Sequence, residues 1–352
     1  MLRSRSWKRF QCHKRPEAVT IATVGRHAGV GVGTVSRVIN GAPGVAEKTR
    51  RRVLEVIQEL DYQPNQVARS LSLGRTSHVA AVVPFLTHPS AVERLRGLVR
   101  ELTAHRYEVT LHDVELREQR DERLRALAVS GSTADAAVIV SLPPTDEEVQ
   151  RFATARMPVV LLDAQHPDLP SIVIDNVAGG ELATRHLLEL GNRRIAFIGD
   201  IPANPYGFTS SVDRRAGWLR ALAAAGITPH PEYVKEGDHD REVAGRLTDE
   251  LFRDAPEPPT AVFVASDTQA LGVLAAARAR GLRIPDHLSV IGFDDIETAG
   301  LVGLTTVRQP LEESGRRAAR LLLGALAGTR PHPMHQTLEL SVSVRQTTAP
   351  PR

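Results

Sequence analysis

Two hydrophobic rhythms divide this chain of 352 residues. Up to about residue 62, apolar positions recur at helical spacing; from His78 on, short apolar runs alternate with helical stripes. In TIATVGRHAGVGVGTVSRVIN (20–40), Ile21, Val24 and Ala28 share one helical face, and Thr20 stands where a cap is needed. Gly29 stops that helix. Val35, Val38 and Ile39 give a second helix its inward face and leave Thr34, Ser36 and Arg37 near the surface. Two short helices around a glycine turn have the shape of a helix-turn-helix. A third helix is predicted from Val45 to Leu60 with Val53, Leu54, Ile57 and Leu60 as its stripe, ended by Asp61 and Pro64.

Between Pro64 and Ser77 only Val67, Ala68 and Leu71 stand out as apolar. That is too little to bury a helix, and so short a helix is marginal in water. The segment reads as a linker, or as a stretch that folds only against something else. Beyond it, the runs at 79–85, 108–114, 136–142, 158–164, 171–176, 194–200, 260–266 and 288–295 read as strands. Helical runs at 92–105, 179–190, 214–225, 240–252, 268–280 and 311–327 lie between them. Near-continuous apolar strands alternating with helices predict parallel sheets covered on both faces. So much of this pattern exceeds one sheet and predicts two doubly wound lobes. Ligands in that fold sit outside the carboxyl ends of the strands. The residues at those ends are polar as a set: Phe85, Asp113, Ser141, Asp163, Asp175, Asp200, Ser266, Asp267, Asp294 and Asp295.

Charge sharpens the division. Residues 1–75 hold fourteen Lys and Arg against five Asp and Glu, whereas the whole chain is only +3, so a basic head joins a mildly acidic body. That asymmetry predicts a polyanion partner for the head. The single cysteine, Cys12, excludes an internal disulfide framework, offers no thiolate set for zinc and fits a reducing cytoplasm. No apolar run approaches membrane-spanning length, and the basic start lacks the apolar core of a secretory signal. Gly29, Gly31 and Gly33 mimic a dinucleotide fingerprint, but Thr34 stands where its last glycine belongs and no strand precedes it. Nucleophile elbows, Walker loops and metal-ligand histidine spacings are absent, so neither a cofactor nor a metal is expected.

Specific motifs resemble the lactose/galactose repressor (LacI/GalR) family of bacterial transcription regulators. They are TVSRVIN (34–40), VAEKTRRRV (45–53), QPNQVARSL (63–71), the pair Asp175-Asn176, HLLELGNRRIAFIG (186–199), RRAGW (214–218), VFVASDTQALG (262–272), SVIGFDD (289–295) and LTTVRQPLEESGRRA (304–318). The resemblance runs from Val19 to Val344. It implies an all-α helix-turn-helix head (19–62) after a disordered basic arm (1–18), then a hinge helix and linker (63–77). An α/β two-lobed, periplasmic-binding-protein-like body (78–345) follows, each lobe a doubly wound parallel sheet, with a flexible tail (346–352). Three segments should cross between the lobes, near Asn176, near 305–309 and around 332–340. The implied protein is a homodimer that binds palindromic operator DNA in the cytoplasm, acts as a repressor and answers to a small effector, a mono- or oligosaccharide.

By the same resemblance, Val32 and Gly33 occupy base-reading positions and Arg37 a third, able to pair bidentately with guanine. Thr34, Ser36 and Asn40 resemble contacts to phosphate or sugar edges, which set register, and Thr20 is a further DNA-binding candidate. Arg69 supplies phosphate attraction, and Leu71 resembles a wedge that opens a minor-groove step. In the body, Arg214 and Asp294 align with the family's sugar-contacting arginine and carboxylate, with Ser266 and Asp163 as further polar candidates. Phe85, Phe208 and Phe293 are wall candidates. Gly31 and Ala46 depart from the family, standing where it carries helix-capping serines; losing such a cap costs about 0.5–2 kcal/mol to Ala and a few tenths to Gly. A second reading stays open: a ligand-binding protein of the same two-lobed fold whose head has degenerated.

Overall fold

The computed structural model describes residues 19–62, 76–129, 133–204, 206–329 and 332–352. The chain divides into two compact units, Met1–Thr76 and Ser77–Arg352.

In the first unit, α1 (Ile21–Ala28), α2 (Val32–Ile39) and α3 (Glu47–Glu59) enclose a core of Val24, Ala28, Val35, Val38, Val53 and Val56. Thr20 and Thr23 cap each other's backbone N–H groups at the start of α1, and Gly29 ends it in the left-handed conformation. Gly31 and Ala46 make no side-chain cap, as their identities dictate. The third helix turns one step from the expected stripe: Val56 is buried and Leu54 is half exposed. Packing against both shorter helices decides which face of α3 turns inward. The basic arm and residues 63–75 of the hinge and linker lie outside the described residues.

The second unit holds two sheets. The first runs in the order β11-β5-β4-β3-β1-β2 and pairs parallel throughout. Its strands are β1 (His78–Pro84), β2 (Glu108–Val114), β3 (Ala136–Val140), β4 (Val159–Leu162), β5 (Ser171–Ile174) and β11 (His335–Leu338). The second runs β12-β10-β9-β8-β6-β7, parallel except for β12. It is built from β6 (Ile195–Asp200), β7 (Val234–Gly237), β8 (Ala261–Val264), β9 (Ser289–Asp294), β10 (Thr305–Arg308) and β12 (Ser341–Ser343). Helices α4 (Pro89–Ala104), α5 (Arg117–Leu127), α6 (Asp146–Ala155) and α12 (Leu311–Leu326) belong with the first sheet. The second has α7 (Asn176–Glu189), α8 (Ser210–Ala224), α9 (Arg241–Asp254), α10 (Asp267–Ala279) and α11 (Glu297–Leu301). Chain direction therefore changes lobe three times, at Asp175, at Gln309–Pro310 and at Glu339–Leu340. In each sheet the order reverses beside the first strand, between β1 and β3 and between β6 and β8, which opens a crevice at the carboxyl ends.

Glycines set how closely the covering helices approach. A methyl group on Gly97 of α4 would lie 1.9 Å from the Glu312 carbonyl oxygen, and one on Gly315 of α12 would lie 1.9 Å from that of Arg94. The same interlock joins α7 to α8: Gly180 meets the Arg214 carbonyl at 2.1 Å, and Gly217 meets that of Val177 at 2.0 Å. Backbone cannot swing aside as a side chain can. Gly217→Ala is therefore expected to lower stability by about 1–3 kcal/mol through overpacking. Gly33→Ala, whose methyl would meet nothing within 4 Å, should instead stabilise α2 by up to ~1 kcal/mol. Thermal unfolding of both variants checks the contrast.

The tail expected at 346–352 is not a tail. Thr347 is buried, donating its hydroxyl to the Val290 carbonyl at 2.7 Å and accepting from Thr305 N–H at 2.9 Å. Ala349 N–H donates to Ser289 Oγ at 3.0 Å, and Arg352 pairs with Asp286. The polar side chains at the inner edge of β9 and β10 satisfy this extended segment, so it completes the second lobe.

Candidate functional site

On the head, the N-terminal turn of α2 is exposed: Val32 is 45 % accessible, and Gly33 and Arg37 are exposed beside it. Thr34 and Ser36 are half-buried on the same helix. Asn40 donates weakly to Ser36 Oγ at 3.4 Å, and its Oδ1 is buried without a partner among the described residues. The Thr20 hydroxyl is engaged in capping, accepting from Thr23 N–H at 3.3 Å. Arg69 and Leu71 lie outside the described residues.

In the body, a cleft of about 1020 Å³ opens between the lobes. Phe85, Ser141 and Asp163 follow β1, β3 and β4 directly, and Asp294 ends β9; all four line the cleft with positive φ, at 48, 53, 60 and 121°. Non-glycine residues in such conformations cost about 1–3 kcal/mol each and persist where the surroundings hold them, commonly at binding sites.

A chain of polar contacts spans the floor. Arg94, from α4 of the first lobe, donates to Gln309 Oε1 at 2.9 Å and to Ser314 Oγ at 3.3 Å, and pairs with Asp163 at 3.2 Å. Asp163 also accepts from Ser141 Oγ at 2.8 Å. Gln309, on a crossing segment, turns its amide N–H to Asp294 Oδ1. Asp294 faces Arg214 of α8 at 3.6 Å. Arg214 donates from Nε to Asn176 at the first crossing (2.9 Å) and from Nη1 to the Ala265 carbonyl (2.6 Å), with its guanidinium 3.6 Å above the Phe293 ring. Both ions are almost wholly buried. Burial lowers the Arg214 pKa and raises that of Asp294, although Arg214 and Gln309 pull the carboxyl back down. The glycine interlocks hold the backbone carbonyls of Arg94 and Arg214 themselves, which fixes where both guanidinium groups enter the cleft.

The rim is aromatic. Phe85 stacks on His88 at 5.1 Å, His88 on His239 at 5.1 Å, and Tyr206 on Phe208 at 5.1 Å. Tyr206 meets Phe85 edge-on at 5.4 Å and donates its hydroxyl to the Glu115 carbonyl, so the second-lobe loop before α8 reaches the first lobe. Asn204 shapes that loop, accepting from the N–H groups of Tyr206 and Phe208 and donating to the Phe208 carbonyl. His239 faces Asp200 at 3.1 Å, and Gln269 donates to the same carboxylate at 3.0 Å. Burial disfavours the His239 cation, but Asp200 outweighs it and its pKa rises; burial and the neighbouring His239 lower that of His88.

Phe85, Asp163, Arg214 and Asp294 thus line one cleft, together with Phe208. Ser266 and Phe293 do not. Ser266 is buried as the cap of α10, accepting from Gln269 N–H, and its hydroxyl is aimed at the Gln269 side chain. Phe293 is fully buried because alternation on β9 points it into the sheet's covering layer, where it supports Arg214 from beneath. Sequence reasoning missed Arg94, Gln309, His88, His239 and Tyr206. Gln309 lay inside a quoted motif and at a crossing, which was the available signal; Arg94 had none that set it apart from Arg96 and Arg100.

Comparison with known proteins agrees with both units. Residues 20–65 match the model of bacterial regulatory proteins of the lacI family, and residues 184–348 match a periplasmic binding protein-like domain. The HTH-type transcriptional regulator CelR of Thermobifida fusca is 35% identical over 344 residues, covering 95% of this chain and 99% of its own. Catabolite control protein A of Priestia megaterium is 34% identical over 309 residues, covering 86% and 91%. Among solved structures, the Lac repressor dimer bound to operator and the anti-inducer ONPF aligns with a TM-score of 0.82 at 26% identity, covering 95% of this chain and 100% of that one. A CelR–cellobiose complex aligns at 0.68 and 33%, covering 94% and 99%. Identity at this level over nearly the whole length, with head and body in the same order, makes this chain a member of the lacI family of bacterial regulatory proteins.

Proposed function

We propose that this protein is a sequence-specific transcriptional repressor, working as a cytoplasmic homodimer on palindromic DNA, whose operator affinity is set by a saccharide bound between the lobes. It acts by binding and not by catalysis. The observation that carries this reading is the Arg214–Asp294 pair: a donor fork and a carboxylate, buried at the junction of the lobes and tied to two crossing segments through Asn176 and Gln309. Such a pair can take adjacent hydroxyls of one sugar, and whatever moves it moves the crossings. Asp163 and Phe85 would contact the ligand from the opposite lobe.

In the head, Val32 and Arg37 would read base edges in the major groove, Val32 through a thymine methyl and Arg37 through guanine, while Gly33 lets the helix approach. Thr34, Ser36 and Asn40 would hold phosphates. Leu71 would wedge the central step, with Arg69 beside it on the backbone. Thr20 is better placed as a cap than as a DNA contact, because its hydroxyl is already engaged. Ligand and operator affinities must change reciprocally, since both report one equilibrium between lobe orientations.

A binding selection on random duplex DNA, with and without a panel of sugars, tests this. The selected duplex should be a palindrome, and at least one sugar should alter its affinity. If the head makes about 6–10 phosphate contacts, affinity should fall about 10³–10⁵-fold between roughly 50 and 200 mM salt. Equal binding to all duplexes at fixed salt would overturn the regulatory reading and favour a ligand-binding protein with a degenerate head.

A further inference from the structure

The charge inventory of the cleft narrows the ligand class. Its lining includes six aspartates (163, 175, 200, 213, 238 and 294) against two arginines, Arg94 and Arg214, with no lysine among the described residues. Even with His88 and His239 both protonated, negative charges outnumber positive ones. Both arginines are committed within the protein: Arg94 to Asp163, Gln309 and Ser314, and Arg214 to Asn176, the Ala265 carbonyl and Asp294. An anion that drew either guanidinium away would leave Asp163 or the buried Asp294 uncompensated.

One element could favour an anion. The N-terminal turn of α8 lines the cleft, and Thr209 gives it no side-chain cap. A helix terminus supplies roughly half a positive charge. Asp213 stands in that same first turn with a full negative one, and Asp200 accepts at the strand end nearby. The sum at this end is still negative. The rim of Phe85, Tyr206 and Phe208 supplies apolar ring faces suited to the C–H face of a pyranose.

We propose that the cleft takes an unphosphorylated, uncharged saccharide and refuses sugar phosphates and sugar acids. The carboxylates then serve as acceptors for hydroxyls, which a neutral polyol supplies in number and a phosphate does not. This rests on the saccharide reading above.

The test uses the full-length protein, calorimetry and thermal unfolding, with glucose, galactose, maltose and cellobiose as neutral probes. Glucose 6-phosphate, galactose 6-phosphate and gluconate are their charged counterparts. At least one neutral sugar should bind and raise the unfolding temperature, and the charged counterparts should bind about 100-fold more weakly or not at all, because like charge in a closed site is strongly unfavourable. A charged probe that binds as well as, or better than, its neutral parent overturns the exclusion while leaving the saccharide reading intact. Failure of all seven probes, neutral and charged, counts against the saccharide reading and this inference together.

Discussion

Arg214→Ala is expected to leave a folded dimer that still binds operator and no longer answers to its sugar. The side chain makes two hydrogen bonds and one ion pair and stacks on Phe293, all inside the lobe that it would help to close over a ligand. Removing a charged hydrogen-bond partner from a closed site costs about 2–5 kcal/mol of binding, enough to abolish a response at ordinary concentrations. Asp294→Ala should lose the same response from the other side of the pair. Ligand affinity separates a ligand role from a merely structural one, and the stability change has its own pH signature. Burial already raises the Asp294 pKa, and deleting Arg214 removes the strongest influence that holds it down. A carboxyl whose folded pKa lies above its unfolded value stabilises the fold while protonated and loses that contribution as pH rises through the folded value. The Arg214→Ala deficit should therefore be small in mild acid and grow toward neutral pH. Calorimetry with a sugar that binds the wild type, beside unfolding at two pH values, reads both effects. Wild-type ligand affinity in Arg214→Ala and in Asp294→Ala would remove both residues from the site.

The coupling that this variant would break has a visible route. Asp163 and Arg94 belong to the first lobe, Arg214 and Asp294 to the second, and Gln309 lies on the segment that joins them. A ligand that contacts both lobes changes the distances in this chain directly. Because Gln309 is the next link on both sides, its crossing segment must follow. A bistable hinge biased from the cleft is what allosteric control requires.

Much of this was legible in the sequence because it depends on local patterns. Thr20 and Gly29 announce the ends of α1, and eight runs became parallel-paired strands; all but the largely exposed edge strand β2 are buried, and buried parallel strands must be apolar on both faces. Six of the ten residues at those strand ends fell in the cleft because topology alone puts carboxyl ends there, Phe85, Asp163 and Asp294 among them; Asp113, Ser266, Asp267 and Asp295 do not line it. What escaped depends on tertiary approach. Strands β7, β10, β11 and β12 are three or four residues long and too mixed to show a period. Helix α5 is so polar that only Leu124, Leu127 and Arg120 are buried. Phe293 and Asp294 are neighbours, and a single step of the pleat sends one into the core and the other into the cleft. Residues 346–352 look like a tail until Ser289 and Thr305 are seen to need partners.

Arg94 is the sharpest case of that kind, and Arg94→Met is expected to be strongly destabilising. In sequence, Arg94, Arg96 and Arg100 are alike; in the fold, Arg94 is 5 % exposed and the other two are not buried. The difference comes from Gly97 and Gly315, which let α4 and α12 meet backbone to backbone and carry Arg94 inside. Breaking a buried pair by removing one member costs about 3–5 kcal/mol, because the other charge stays behind. Asp163 retains Ser141 Oγ as a donor and its side chain is 18 % exposed, so the lower end of that range is expected. Asp163→Asn added to Arg94→Met removes the stranded charge and should recover about 1–2 kcal/mol, a coupling well above the ~0.5 kcal/mol scatter of independent sites. Denaturant unfolding of the two single variants and the double variant measures it. Strict additivity would mean that the Asp163 charge does not hold Arg94, leaving Gln309, Ser314 and packing to do so. A recovered double variant that binds operator and ignores sugar would place the Arg94–Asp163 pair in the sugar response as well as in the stability of the lobe.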